Sequence, residues 1–452
     1  MGRTRAVMLA VVVLAVAGLT GCNASWPFWR GDPARSGLQP NETTLSTANV
    51  GSLTRAWSAP LAGVASPVAV VGGVAYERPA DNTLRAFDAT GHTNCTGAPK
   101  TCTPLWTATA PVGADYTPAV ANGLVYTTGA HSQVDDTADL QVFDANGTTN
   151  CGGSPRTCTP LWTAPITAFY GQAPTVANGV VYGAASDGIL AAFDANGVTN
   201  CVAGSPKVCH SLWTSTPTGE IDNSAPAVAG GKVYIGENAD NVPSVDVYDG
   251  QTGCRPWPQP NDFGHTIECD PIWKLVTGNW VESTPAVVDG IVYVGATDGK
   301  LYAFDANQSV NCVAAFKACA PMWTASAPGL DAVAVAGGVV YAGVTGGLEA
   351  FDAHGVTKCS GSPRVCTPLW SASLGGTGSA ATVANGVVYL GTSAGVVAGF
   401  DAAGSINCTG TTTRTCTPLW TAATGGPTGA PVVVNGTVYV PAGASLQAYQ
   451  LP

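Results

Sequence analysis

The 452-residue sequence has few charged residues and little that could form helices. Charged residues make up only 10% of the chain, and it contains three methionines and five histidines. No stretch beyond the first twenty residues shows a sustained helical period, so we expect no helices in the folded domain. No Cys-x-x-Cys pair occurs, which leaves covalent haem attachment and zinc ribbons without support. Glycine is abundant instead, with 56 residues, as is typical of many short strands joined by tight turns.

A unit of about fifty residues repeats eight times along the chain. Each unit contains a Pro-Ala-Val strand, an Asn-Gly or Gly-Gly turn, a Val-Val-Tyr strand, a strand ending in Phe-Asp, and a Leu-Trp strand. Four short antiparallel strands per unit is the pattern of a propeller blade. The second-strand tyrosines are Tyr76, Tyr126, Tyr182, Tyr234, Tyr293, Tyr341, Tyr389 and Tyr439, and the fourth-strand tryptophans are Trp57, Trp106, Trp162, Trp213, Trp273, Trp323, Trp370 and Trp420.

The two aromatic series are out of step at the ends of the chain. Trp57 precedes the first tyrosine, and no tryptophan follows Tyr449. We therefore predict an all-β, eight-bladed β-propeller of four-stranded antiparallel blades, in which the N-terminal strand around Trp57 completes the C-terminal blade. Such a closure removes the exposed edges that an open sheet would present.

The N-terminus has the pattern of an export signal. Two arginines precede an apolar run from Ala6 to Leu19, which is short for a membrane span. Leu19-Thr20-Gly21-Cys22 then resembles the bacterial lipobox, in which the cysteine is lipidated after cleavage. Ordinary secretion with Cys22 unmodified is the alternative. The expected division is a lipoprotein signal peptide at 1–21, a lipid-anchored entry segment at 22–52 and one propeller at 53–452.

The other fourteen cysteines fall into seven local pairs, each in an insert before a tryptophan. Pairing within each unit is the simplest of many connectivities, and closing a loop of about eight residues contributes about 2.5 kcal/mol in the chain-entropy model. Disulfides indicate an oxidising, extracytoplasmic compartment. The expected pairs are Cys95 with Cys102, Cys151 with Cys158, Cys201 with Cys209, Cys254 with Cys269, Cys312 with Cys319, Cys359 with Cys366, and Cys408 with Cys416.

The repeat resembles the PQQ-binding-like β-propeller repeat, which has a proline-led inner strand, Val-Tyr, an Ala-Leu-Asp-like turn with glycine, and tryptophan. Trp26-Pro27-Phe28-Trp29-Arg30-Gly31-Asp32 also resembles the entry segment of these proteins. The resemblance covers nearly the whole chain after the signal and implies the propeller fold. Members include quinoprotein dehydrogenases and non-enzymatic lipoproteins similar to BamB, so the resemblance implies no single function.

A dehydrogenase of this family would bind PQQ with calcium. Such enzymes commonly stack PQQ on a disulfide between adjacent cysteines, and this sequence has no Cys-Cys dipeptide. The Asp-Ala-Asn-Gly segments at Asp144 and Asp194 place glycine too early for a calcium loop, so we interpret them as turns. The segment from Gly391 to Gly395 spells a nucleophile elbow but aligns with a hairpin turn of another unit. We therefore expect no cofactor, no metal and no catalytic residue.

Every cysteine-containing insert carries a basic residue. Loops between third and fourth strands share one face of a propeller, so these residues would form a basic ring. The ring either keeps exposed loops soluble or contacts an anionic surface such as lipid headgroups or cell-wall polymer. Its members are Lys100, Arg156, Lys207, Arg255, Lys317, Lys358, Arg364 and Arg414.

The loops between blades place polar and aromatic side chains at the mouth of the central channel. Converging polar and aromatic groups suit a ligand funnel, although a wet channel mouth without a ligand would have the same composition. The candidate residues are Asp115, Tyr116, Tyr170, Gln172, Asp222, Asn223, Trp280, Glu282 and Asp331. The long insert between Cys254 and Cys269 contains Trp257, Phe263 and His265, and we interpret it as a partner contact.

These patterns predict an extracytoplasmic lipoprotein, anchored to a bacterial membrane, that acts as a non-catalytic binding or assembly scaffold in the cell envelope. A PQQ- and calcium-dependent dehydrogenase is one alternative, with the acidic funnel holding the metal. A glycan-binding propeller is another, with Tyr116, Tyr170 and Trp280 as stacking platforms. The expected partners are the membrane, through the lipid anchor, and an envelope protein or cell-wall polymer. We expect a monomeric ring and no nucleic-acid partner.

Overall fold

The computed structural model describes residues 24–110, 117–130, 137–167, 171–216, 219–239, 242–256 and 267–452. Eight small β-sheets follow one another in the chain, which confirms the predicted eight-bladed propeller. Within the described ranges, no helix combines the length and the apolarity needed to span a membrane. The signal peptide and Cys22 lie outside the described residues, and so do Trp257, Phe263 and His265 of the long insert.

Each blade has four antiparallel strands that succeed one another from the axis outward. The inner strands, numbered here as blades 1 to 8, are Ala69–Val71, Ala119–Ala121, Thr175–Ala177, Ala227–Ala229, Ala286–Val288, Val333–Ala336, Thr382–Ala384 and Val432–Val434. In blade 6 one long strand, Val339–Asp352, forms both the second and the third strand. The second strands of blades 1 to 5, 7 and 8 are Val74–Glu77, Leu124–Ala130, Val180–Ala184, Lys232–Glu237, Ile291–Ala296, Val387–Gly391 and Thr437–Ala442. The other third strands are Thr83–Asp88, Thr137–Asp144, Leu190–Asp194, Ser244–Tyr248, Lys300–Asp305, Val396–Asp401 and Ser445–Gln450.

The outer strands begin at the tryptophans identified in the sequence. Those of blades 1 to 7 are Trp106–Thr109, Trp162–Thr167, Trp213–Ser215, Trp273–Val276, Trp323–Ser326, Trp370–Thr377 and Trp420–Ala423. The outer strand of blade 8 comes from the other end of the chain. Thr54–Pro60 pairs antiparallel with Ser445–Gln450, and Trp57 lies opposite Ala448. The remaining elements are the strand Leu38–Gln39 and the 3-10 helices Val50–Ser52 and Ala314–Phe316.

The cysteine-containing inserts form hairpins that extend the sheets. Each of the seven forms a two-stranded hairpin that pairs with the outer strand of the preceding blade. Six sheets therefore have six strands instead of four. The sheet of blade 6 also carries a hairpin but has five strands, because one strand forms both its second and its third. We call these hairpins clasps. The clasps are Cys95–Thr96 with Lys100–Cys102, Cys151–Gly152 with Thr157–Cys158, Cys201–Val202 with Lys207–Cys209, Cys254–Pro256 with Ile267–Cys269, Cys312–Val313 with Ala318–Cys319, Cys359–Ser360 with Arg364–Cys366, and Cys408–Thr409 with Arg414–Cys416.

All seven predicted disulfides are present, and each closes the base of its own clasp. The second cysteine of a clasp also contributes to the core between blades. Cys158, for example, is buried in one apolar cluster with Trp106 and Phe143. The disulfide therefore holds a hairpin whose inner face packs on the neighbouring blade.

The tyrosine and tryptophan series meet at the boundaries between blades. The Tyr76 hydroxyl and the Trp106 indole N–H of blade 1 both donate to the Ala145 carbonyl of blade 2, at 3.0 and 3.2 Å. The adjacent Gly147 has φ +61°, and a Cβ there would lie 2.2 Å from Trp106 Cδ1. The indole therefore requires glycine at this turn, because any side chain would displace the ring.

The two ends of the ring are built from different connections. At one end, the turns between first and second strands lie against the turns that lead from the third strands into the clasps. In blade 2, for example, the N–H of Ala145, which follows the third strand, donates to the carbonyl of Gly123, in the turn between first and second strands, at 2.9 Å. We call this end the turn face. The chain also enters there, because the Ala24 N–H donates to the side-chain oxygen of Asn435, in the equivalent turn of blade 8, at 3.0 Å. Connections between blades lie at the opposite end, the mouth face.

Candidate binding site at the plugged channel

The entry segment crosses the central channel. The inner strands around the axis would otherwise leave N–H groups unpaired, because an inner strand is a sheet edge. Carbonyls of the segment accept six of these N–H groups at 2.6–2.9 Å, from blades 1, 2, 4, 5, 6 and 7. The acceptors are Trp26, Pro27, Pro33, Ala34, Ser36 and Gly37, and their donors are Val70, Val120, Val228, Val287, Val335 and Val383. Residues 26–39 thus act as a plug that joins the blades at the axis.

Two buried arginines fix the plug. Arg35 donates to the carbonyls of Pro226 at 3.0 Å and Trp29 at 2.5 Å, and also to the Thr175 hydroxyl. Arg30 donates to the carbonyls of blades 6 and 7. Burial lowers the pKa of Arg30 to about 10 and that of Arg35 to about 9, so both stay charged at neutral pH. No carboxylate among the described residues forms an ion pair with either guanidinium, and carbonyl dipoles solvate both charges.

A cavity of about 660 Å³ opens above the plug, between the connections of the mouth face. The Trp29 side chain lines it, and the Trp29 indole N–H donates to the Thr284 hydroxyl at 3.3 Å. The lining includes polar groups from the starts of several blades: Thr117, Gln172, Asn223, Glu282, Thr284 and Asp331. The cavity has the size and mixed polarity of a small-ligand site.

The cavity is rich in hydrogen-bond acceptors. Glu282 and Asp331 both line it, and none of its described lining residues is a lysine or an arginine. Gln172 and Thr117 are each only 2% exposed, and the Oε1 and Oγ1 atoms of these side chains have no partner among the described residues. The surrounding protein raises the pKa of Asp331, and this effect exceeds the opposing effect of the nearby Arg30 charge. The Asp331 side chain is exposed to water, so its pKa rises less than that of a fully buried carboxyl group would.

The structure separates the predicted channel-mouth residues into three groups. Gln172, Asn223, Glu282 and Asp331 line the cavity together. The other two described candidates lie beside it: Asp222 accepts a hydrogen bond from the Asn238 amide at 3.3 Å, and Trp280 is 43% exposed. Asp115, Tyr116 and Tyr170 lie outside the described residues.

The predicted basic ring lies on the clasps, but aspartates accompany its charges. Arg156 donates to the Gly147 carbonyl at 3.1 Å, and four other ring members make the equivalent bond, namely Lys100, Lys207, Arg364 and Arg414. In the same turn Asp144 is buried, which raises its pKa, but hydrogen bonds from Thr148 and backbone N–H groups outweigh this and hold the pKa at about 2. The turn that accepts the bond from Arg156 thus also contains a carboxylate, and Arg255 forms ion pairs with Glu268 and Asp270. These nearby negative charges weaken the case for an anionic surface as partner.

Among its described lining residues, the cavity offers no cationic side chain to the carboxylates of PQQ. PQQ is a multiply charged carboxylate, whereas the charged groups lining the cavity are the carboxylates of Glu282 and Asp331. The disulfides lie in the clasps at the outer edges of the sheets, far from the axis in the strand order. Among the described residues, no three His, Cys, Asp or Glu side chains are grouped to hold a metal ion.

The fold and the repeat can be compared with known proteins. A family model described as outer membrane protein assembly factor BamB matches residues 98–254 and 268–451, which is more than half of the chain. The chain belongs to this BamB family. None of the curated protein sequences searched matches it.

Solved structures share the propeller of this BamB-family chain at low sequence identity. BamB from Moraxella catarrhalis has a TM-score of 0.53 and 16% identity, covering 88% of this chain and 97% of its own. A europium-containing methanol dehydrogenase has a TM-score of 0.60 and 14% identity over 95% and 98% of the two chains. The computationally designed Ika8 protein has a TM-score of 0.60 and 14% identity over 87% and 98%. Identities this low show the fold alone, and function has to be argued from the site.

Proposed function

We propose that this BamB-family chain is an extracytoplasmic binding scaffold of the cell envelope, lipid-anchored at Cys22, and that its axial cavity binds a hydrogen-bond-donating group of a partner protein. The observation that carries the proposal is the pair of carboxylates in one cavity, Glu282 and Asp331, with no lysine or arginine among the described lining residues. A ligand that donates an ammonium, guanidinium or amide N–H would form charge-assisted hydrogen bonds with these carboxylates.

A crosslinking capture from intact cells tests the cavity. Glu282→Gln removes one acceptor charge, and we expect about tenfold less captured partner, since a hydrogen bond to a charged group contributes about 1.5–3 kcal/mol. The matched control is Asp289→Asn, which removes one charge from an exposed turn-face residue with φ +50°, a conformation that asparagine tolerates. Equal capture by Glu282→Gln, Asp289→Asn and the unchanged protein would contradict the proposal.

The lipid anchor has a separate test. Ala24 is held on the turn face by Asn435, so a lipid on Cys22 would tether that face and leave the cavity directed away from the membrane. We expect Cys22→Ser to move the protein from the membrane fraction to the soluble extracytoplasmic fraction. Retention of the variant in the membrane fraction would show that the anchor is not at Cys22.

The dehydrogenase alternative predicts a different result with the purified protein. Since no lysine or arginine among the described lining residues can pair with the carboxylates of PQQ, we expect PQQ and calcium to produce neither a bound quinone spectrum nor dye reduction with alcohols or sugars. Either signal, saturating with PQQ, would favour a dehydrogenase over a scaffold.

One observation favours glycan binding as a second candidate function. The exposed Trp280 lies beside the cavity, because its carbonyl accepts the N–H of the lining residue Thr297 at 2.9 Å. An exposed indole next to polar groups is a stacking platform for a sugar ring. On a glycan array, Trp280→Ala should lose binding while Trp280→Phe keeps part of it. Equal binding by both variants would exclude this platform.

A further inference from the structure

Seven of the eight outer strands are covered by a parallel strand of a clasp. In blade 1, Thr157 pairs with Thr107 and Cys158 pairs with Ala108. The Thr107 N–H donates to the Arg156 carbonyl at 3.0 Å. The residue after each of these seven tryptophans is buried or half-buried as a result. In seven blades, therefore, the outer strand binds a short extended segment that runs parallel to it.

The outer strand of blade 7, Trp420–Ala423, lacks this cover. It is the last strand of a five-stranded sheet, and within the described part of the chain no strand pairs with its outer side. Thr421, the residue after the tryptophan, is exposed, unlike its seven counterparts. An open strand edge presents unpaired N–H and C=O groups that can accept another strand.

The apolar side of this edge is already closed by the chain itself. The Trp420 indole N–H donates to the Leu53 carbonyl at 3.1 Å, and Val50 and Leu53 belong to the same buried cluster as Trp420. Residues 50–53 therefore replace the packing of a clasp but not its strand. What remains open is backbone, so recognition there would rest on a β-ladder.

We propose that the outer edge of Trp420–Ala423 binds an extended segment of a partner polypeptide, added as a parallel strand. The sequence from Thr417 to Ala422 is identical to that from Thr103 to Ala108, the edge that the clasp of blade 2 covers. A segment resembling Arg156-Thr157-Cys158, with a small apolar residue at the third position, therefore fits the open edge. This site is distinct from the axial cavity, and the proposal goes beyond the proposed function and does not depend on it.

The chain supplies its own probe for the test. A labelled synthetic peptide of residues 150–160, with Cys151 and Cys158 joined as a disulfide, is titrated into the full-length protein up to about 1 mM, the scale of effective concentration for a short tether. We expect saturable binding by fluorescence anisotropy, and at least tenfold weaker binding of the same peptide with Cys151 and Cys158 replaced by alanine, because this linear chain keeps a small apolar third residue but is not held as a hairpin. No saturable binding of the native peptide would overturn the proposal.

Variants of Thr421 locate the contact. Thr421→Pro removes the N–H that would pair with the peptide, whereas Thr421→Ala changes the side chain only. We expect at least a tenfold loss of affinity in the proline variant and less than a twofold change in the alanine variant, with both melting temperatures near that of the unchanged protein.

Crosslinking gives a readout that does not depend on how the proline variant folds. A photoreactive group at the Thr157 position of the peptide should label residues 420–423 of the unchanged protein. Labelling of the Trp106 edge instead, or equal affinity of the proline variant and the unchanged protein, would overturn the proposal.

Discussion

Glu77 should make the stability of the propeller depend on pH. It ends the second strand of blade 1 and is fully buried. Its Oε1 accepts the Ser66 N–H at 2.9 Å, but its Oε2 has no partner among the described residues. Burial raises the pKa of Glu77 from 4.5 to about 8, against the opposing effects of the Ser66 hydrogen bond and the Arg85 charge. The folded protein therefore holds a proton that the unfolded chain releases.

The sign and size of the effect follow from this difference. Between pH 4.5 and about 8 the folded state binds more protons at Glu77 than the unfolded state does, so the free energy of unfolding falls as pH rises. Each pH unit within that window changes it by about 1.4 kcal/mol at most, which amounts to roughly 2–3 kcal/mol between pH 5 and 7. Glu77→Gln keeps the shape of the protonated side chain and removes the titration. The variant should therefore be about as stable as the unchanged protein near pH 5 and more stable near pH 8.

Denaturant unfolding followed by tryptophan fluorescence at pH 5, 6, 7 and 8 measures this difference. Glu220→Gln, at an exposed position, is the control, and its curve should stay parallel to that of the unchanged protein. A difference between Glu77→Gln and the unchanged protein that is constant across pH would refute the reasoning, because a purely structural effect of the substitution does not follow the titration.

Three further predictions concern the blade boundaries, a clasp and the plug. Gly147→Ala should destabilise by more than about 2 kcal/mol in thermal unfolding, whereas Gly123→Ala, with a similar positive φ and open space around it, should lose only about 1 kcal/mol; equal losses would show that the indole contact is unimportant. Replacing Cys151 and Cys158 by serine should lower the unfolding free energy by about 2.5 kcal/mol under non-reducing conditions, and no change would mean that the clasp holds without its disulfide. Arg35→Lys should cost about 3 kcal/mol, because a lysine cannot reach the same set of carbonyls, and an unchanged melting temperature would contradict the anchoring role.

Much of the fold could be predicted because its signals are local. The repeat period, the asparagine and glycine turns and the cysteine spacing all lie within one unit and report the strands and disulfides of that unit. The pairing of the clasps could not be predicted in this way. Thr157 pairs with Thr107, fifty residues earlier, and no local pattern records which edge a hairpin will cover.

The binding site was predictable only in outline. The connections between blades were expected at the channel mouth, and Gln172, Asn223, Glu282 and Asp331 lie there together. Whether a residue of such a connection faces the axis depends on the path of the loop, so Trp280 lies outside the cavity although it is two residues from Glu282. The plug was recognisable in the sequence only by resemblance, since its bonds to the inner strands are made by backbone carbonyls, and these leave no mark on residue type.

The clasps also impose an order on how the ring can be completed as the chain is made. In blades 1 to 6 an outer strand is covered only after the following unit has been synthesised, so each of these blades waits about fifty residues for its clasp. The strand Thr54–Pro60 is the exception, because its sheet partner Ser445–Gln450 is made last. The first blade strand to emerge therefore lacks its antiparallel partner until the final blade exists. Because the two ends of the chain meet so late, ring closure is a non-local and slow step. Until then the unpaired strand Thr54–Pro60 is the part of the nascent protein that most needs protection from aggregation.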